Sequence, residues 1–176
     1  MASKATSPRE LLLTAPGAAL AGTDLRLRLP VDRTLLNKIL AARPDDTPLE
    51  QLYADPDPGN QLHVHLAADA PIIGTVERRI TLMPGPAVSF PDQPWLHFDI
   101  VDGFKFLDKP LIKLLGGQLE ERLPRGVELT TKYLRLHLPA LLTAAGRQAL
   151  VPLIHRLRLT SEDNKLVIDL HLKATP

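Results

Sequence analysis

The chain has 176 residues, enough for one domain with a sizeable buried core, and nothing in its length requires two. A net charge of +1 with 23% charged residues supplies no global basic field to draw nucleic acid or an anionic membrane surface. Cysteine is absent, which excludes a disulfide framework, a thiolate metal site and a cysteine nucleophile; 44% hydrophobic but only 4% aromatic residues imply an aliphatic interior and disfavour base or sugar stacking.

In residues 1–22, Lys4 and Arg9 precede an apolar run that ends in Ala19, Leu20 and Ala21, the outline of a secretory signal. Glu10 at its mouth and the breaks at Thr14, Pro16 and Gly17 favour an N-terminal arm instead, with Leu11 to Leu13 docking on the domain. The arm implies a cytoplasmic chain, and cleavage of residues 1–21 a periplasmic one. No stretch reaches transmembrane length, so no integral membrane segment is expected. A single α+β domain then occupies residues 23–176.

Leu25 to Leu29 alternates leucine with arginine, the two-residue period of a half-buried strand, and Pro30 closes it. Val31 to Ala42 reads as a short amphipathic helix with Asp32 as its cap and Leu35, Leu36, Ile39 and Leu40 on one face. Residues 44–60 concentrate proline and aspartate and read as a long exposed connection with one helical turn at Leu49 to Tyr53. Strands follow at Leu62 to Leu66 and Gly74 to Leu82, then a proline-laden turn over residues 83–94. The strand from Trp95 to Phe106 directs Leu96, Phe98 and Ile100 to the core, with Gly103 marking a bulge or bend.

Asp108 caps a second helix whose Leu111, Ile112, Leu114, Leu115, Leu119 and Leu123 make a broad apolar surface, ended by Pro124 and Gly126. Val127 to Leu138 has the period of one long strand. The third helix spans residues 139–155, with Leu142, Ala145, Ala149 and Leu153 in one stripe and Pro152 bending its axis. A hairpin of Arg156 to Thr160 and Leu166 to Lys173, turning at residues 161–164, ends the chain. Alternating strands on short turns imply an antiparallel sheet of about five or six strands, curled by its twist around two long amphipathic helices and one short one.

This order of strand, short helix, meandering strands, amphipathic helix and strand resembles the small bacterial members of the tubular lipid-binding superfamily over about residues 24–173. The resemblance implies a curved sheet wrapped on a long helix, and an acyl chain, phospholipid or other apolar molecule bound without chemistry. It transfers no functional residue, because that superfamily has no diagnostic ligand motif. From the residues themselves, the apolar lining of such a cavity comprises Leu111, Leu114, Leu115, Leu119, Leu142, Ala145, Ala149, Leu153, Phe98 and Ile100.

Two other readings stay open. A ligand-free scaffold would hold a protein partner on an exposed sheet edge or on the 44–60 connection. A metal enzyme would use His63 and His65, two apart on one strand face with side chains about 6 to 7 Å apart, the spacing of two zinc ligands. Both histidines share their phase with charged residues, which favours a solvated face. No nucleophile elbow, phosphate-binding loop or dinucleotide fingerprint is present, so neither catalysis nor a cofactor is expected.

Overall fold

The structure, a computed structural model, describes residues 15–42, 49–70, 74–103 and 125–174. In chain order these form α1 (Pro16–Ala19), β1 (Asp24–Asp32), α2 (Arg33–Ala41), β2 (Leu49–Asp57), β3 (Gln61–Ala70), β4 (Gly74–Pro84), β5 (Val88–Ser89) and β6 (Trp95–Asp102). Then follow β7 (Val127–Leu129), β8 (Tyr133–His137), α3 (Leu138–Ala144), a 3-10 helix (Gln148–Leu153), β9 (Ile154–Glu162) and β10 (Lys165–Lys173). The helix expected from Asp108, with Leu111, Leu114, Leu115 and Leu119, lies outside the described residues, as do residues 1–14 of the arm. Among the described residues no helix is long and apolar enough to cross a membrane.

The class is mixed α and β with antiparallel strands throughout, arranged as a six-stranded sheet β2-β3-β4-β6-β8-β7 and a four-stranded sheet β1-β10-β9-β5. The second sheet departs from the expectation of a single one. It arises because β9 and β10 pair with β1 and β5 and leave the β6-β8 ladder to end at β7. The inward phases of both sheets meet in one cluster that joins Ala54, Leu62, Ile80, Leu82, Leu96 and Phe98 to Val88, Phe90, Ile154 and Leu157. Burial of these aliphatic faces is the main driving term, at about 25 cal/mol per Å² of apolar surface.

Two long helices are not found among the described residues, where α2 has nine residues and α3 seven. The expected helix 139–155 is instead divided. Gly146, at φ +68°, ends α3, with Gly146 N–H donating to Thr143 O and Arg147 N–H to Leu142 O, the paired bonds of a glycine-terminated helix. The chain re-forms as the 3-10 helix, which accommodates Pro152, and enters β9 at Ile154.

Prolines mislead at two strands for one reason. Pro30 continues β1 and Pro56 lies in β2, where a loop is expected, and both are edge strands whose outward N–H groups owe nothing to a ladder. In β2 the buried Ala54 and Pro56 alternate with exposed Gln51 and Tyr53. Its free edge is covered by α2: Asn37 donates from Nδ2 to Ala54 O at 2.8 Å and accepts from Ala54 N at 2.7 Å, replacing a neighbouring strand. As expected, Asp32 caps α2, accepting from Leu35 N at 2.9 Å. The strand expected over 127–138 folds back on itself, because Thr130 Oγ1 accepts from the N–H groups of Lys132 and Tyr133 and forms a turn between β7 and β8. Gly103, at φ +115°, passes so close to β4 that a Cβ would stand 2.7 Å from Ile80 Cα, which explains the bend there.

One polar knot joins the two sheets. Ser161 of β9 is 4% exposed; its hydroxyl accepts from Asp57 N and donates to Gln61 O. Asn60, at φ 61°, accepts from Ser161 N at 3.0 Å and donates to Pro84 O at 2.9 Å. Ser161→Ala removes the hydroxyl from two part-buried backbone partners, so a loss of about 1–3 kcal/mol is expected. Urea denaturation of wild type and variant measures it, and an unchanged midpoint would show that the knot is dispensable.

Candidate functional site

Among the described residues an apolar recess lies where α3, the 3-10 helix and the start of β9 meet the segment after β5. Its wall comprises Phe90, Pro91, Pro94, Pro139, Val151, Pro152, Leu153 and Ile154, with His155 and Lys173 as polar members, and its volume is about 490 Å³. That volume suits a small ligand. Four of the wall residues are prolines, which offer no N–H and hold a fixed φ, so this recess is rigid and poor in donors. Backbone bonds set its shape: Phe90 N–H donates to His155 O at 3.0 Å and Leu138 N–H to Pro94 O at 3.1 Å. His137 anchors α3 beside it, its Nδ1 accepting from Ala140 N at 3.2 Å in place of the usual serine or aspartate cap.

Of the lining residues expected from the sequence, Leu153 stands in the wall of this recess and is buried. Phe98, 5% exposed, belongs to the packed core, and Ile100 and Leu142 lie half-buried against it. Ala145 and Ala149 are exposed, because the stop at Gly146 turns them off the stripe that a continuous helix would have made. Leu111, Leu114, Leu115 and Leu119 are outside the described residues. The proline wall was missed from the sequence because its members, at 91, 94, 139 and 152, come from two distant segments. Only their shared lack of periodicity marked them.

His63 and His65 do share one face of β3, yet each has its own partners. His63 accepts at Nδ1 from Thr81 Oγ1 at 3.0 Å and donates from Nε2 to Asp57 Oδ2 at 3.3 Å, which uses both ring nitrogens. His65 stacks on Tyr53, with centroids 4.6 Å apart and planes 17° apart. Among the described residues no group of three histidine, aspartate or glutamate side chains is placed to hold a metal ion.

The outward phase of β6 and β8 gathers Trp95, His97, Tyr133, Arg135 and His137. The Arg135 guanidinium lies 4.8 Å from the Trp95 ring centre and 5.8 Å from that of Tyr133, and pairs with Glu128 at 3.6 Å. Trp95 also packs on His137 at 4.8 Å, and His97 donates to Asp99 at 3.0 Å. These groups satisfy one another, so the cluster braces the sheet. On the four-stranded sheet His155 meets His171 edge-on at 4.9 Å, and His171 Nε2 donates to Asp24 Oδ1 at 2.8 Å. That hydrogen bond is the main reason the Asp24 carboxyl is held below its ordinary range.

Burial on the Tyr53 ring, and next the nearby charge of Arg79, hold the His65 pKa below its ordinary 6.5. The unfolded chain therefore takes up this proton at higher pH than the folded one. Its contribution to stability is complete above pH 6.5 and is lost as pH falls through the lowered folded value. Ring-proton resonances titrated from pH 8 to 4 report that value directly; a midpoint at or above 6.5 would contradict the assignment.

In comparisons with known proteins, no family model, no curated protein and no solved structure matches this chain.

Proposed function

We propose that this protein binds an apolar ligand, an acyl chain or a molecule of similar character, in the proline-walled recess and performs no chemistry on it. The observation that carries this reading is the recess itself: about 490 Å³, walled by aliphatic, aromatic and proline side chains, with His155 and Lys173 as its polar members. A wall in which four prolines contribute no N–H binds mainly by excluding water and selects for shape and hydrophobicity, while His155 and Lys173 orient a polar end. The resemblance to tubular lipid-binding proteins leads to the same ligand class.

A second reading, attachment of a protein partner, draws on β1. This edge strand runs for nine residues with Leu25 36% and Leu29 44% exposed, an open ladder beside apolar side chains. Edge strands of that length invite pairing with another chain.

The fluorescence of cis-parinaric acid, a polyene fatty acid, distinguishes the two. Saturable enhancement is expected with the wild-type chain, and Val151→Trp, which fills the recess, weakens binding by at least about tenfold, or 1.4 kcal/mol. Equal affinity of wild type and variant would remove the recess as the site. Native mass spectrometry of protein purified without detergent supplies the complement, since a co-purified lipid mass supports the first reading and a bare chain the second.

A further inference from the structure

We propose that the outer face of the four-stranded sheet is a binding site for a phosphoryl group, held by Arg26, Arg156 and Arg158. The site is a consequence of register. In the ladder, Arg26 of β1 pairs with His171 of β10, which pairs with Arg156 of β9; two residues along, Arg28 pairs with Asp169 and Asp169 with Arg158. Paired residues point to the same side of a sheet, so these six side chains form two parallel rows. Each row spans about 10 Å across the three strands, and the rows stand about 7 Å apart. Between them lies a depression of about 440 Å³ lined by all six.

The charges within this face are unevenly matched. Arg28 is engaged by Glu162 at 2.6 Å, which also accepts from Lys165 at 3.2 Å. His171 is committed to Asp24 through Nε2. Asp169 offsets one positive charge. Among the described residues Arg26, Arg156 and Arg158 form no salt bridge, although they border the same depression. A chain with a net charge of only +1 has thus placed three guanidinium groups without ion-pair partners around one hollow.

A phosphoryl group fits this arrangement better than a carboxylate does. It presents three oxygens and close to two charges, enough to accept from three guanidinium forks approaching from β1 and β9 and to compete with Asp169 and with Asp24, on whose carboxyl the Arg26 charge acts. The face carries no tryptophan, tyrosine or phenylalanine, so nothing there is suited to stacking a nucleobase. The phosphoryl group belongs either to a free small molecule or to a lipid headgroup. The site lies on the outward phase of the sheet and does not depend on the apolar recess being occupied.

Inorganic pyrophosphate is the probe for the first source, titrated into the full chain by calorimetry at constant ionic strength. Saturable binding is expected, weakened at least about tenfold in Arg26→Gln/Arg158→Gln and unchanged in Arg147→Gln, an exposed arginine elsewhere. Side-chain Nε resonances of Arg26, Arg156 and Arg158 in the wild-type chain move with added pyrophosphate, a readout independent of how the variants fold. Sedimentation with phosphatidic acid vesicles, whose headgroup is a phosphomonoester, and with phosphatidylcholine vesicles separates the sources. Retention on the former that pyrophosphate reverses indicates a headgroup, and pyrophosphate binding without vesicle retention indicates a free compound. Absence of saturable binding to either probe, Nε shifts spread over all arginines, or equal loss in the Arg147→Gln control overturns the proposal.

Discussion

The register of β10 between β1 and β9 is the constraint on which the rest depends. Leu25, Leu27 and Leu29 of β1 stand beside Leu172, Leu170 and Ile168 of β10, and these in turn beside Ile154, Leu157 and Leu159 of β9. The arginines, Asp169 and His171 occupy the opposite phase. A slip of β9 by one residue would turn Ile154, Leu157 and Leu159 away from the core and bring Arg156 and Arg158 into it, and the cost of burying unpaired charge makes that state inaccessible. The irregularity between His171 and Leu172 leaves His155 unpaired in the ladder, and there it meets the His171 ring at the sheet surface.

Given that register, the remaining problem is to end ladders without exposing backbone. Side-chain amides and hydroxyls do most of this work. Asn37 seals the free edge of β2, Asn60 and Ser161 join the two sheets, and Thr130 turns β7 into β8. The described structure leaves no buried side-chain nitrogen or oxygen without a hydrogen-bond partner. Because these polar groups are local and directional, they allow short elements to stop abruptly. The proline-walled recess forms at such a place, where α3, the 3-10 helix and the segment after β5 each end against one another.

The two surfaces of interest differ in origin. The recess arises from failed periodicity: prolines and a glycine stop hold elements apart, and the gap between them is apolar. The arginine depression arises from periodicity maintained across three strands, which places like residues in rows. His155 borders the first and, through its ring contact with His171, adjoins the second.

How much of this was legible in the chain varies with the range of the cause. The alternation in 25–29, 62–66, 156–160 and 166–173 determined strand phase, and with it which side chains face the core, because side-chain direction in a strand is a local property. The cap at Asp32, the bend at Gly103 and the antiparallel arrangement followed from equally local chemistry. Strand status for 49–57 was hidden, since the prolines and aspartates there forbid a central strand and only the tertiary structure makes this one an edge sealed by Asn37. The break in the 139–155 helix was written at Gly146, but apolar spacing on both sides outweighed it. The grouping of Arg26, Arg28, Arg156 and Arg158, and of prolines 91, 94, 139 and 152, was decided by tertiary structure alone. Residues far apart in the chain become neighbours only through strand pairing and loop closure, whose outcome depends on the sum of contacts over the whole chain and leaves no mark on any one segment.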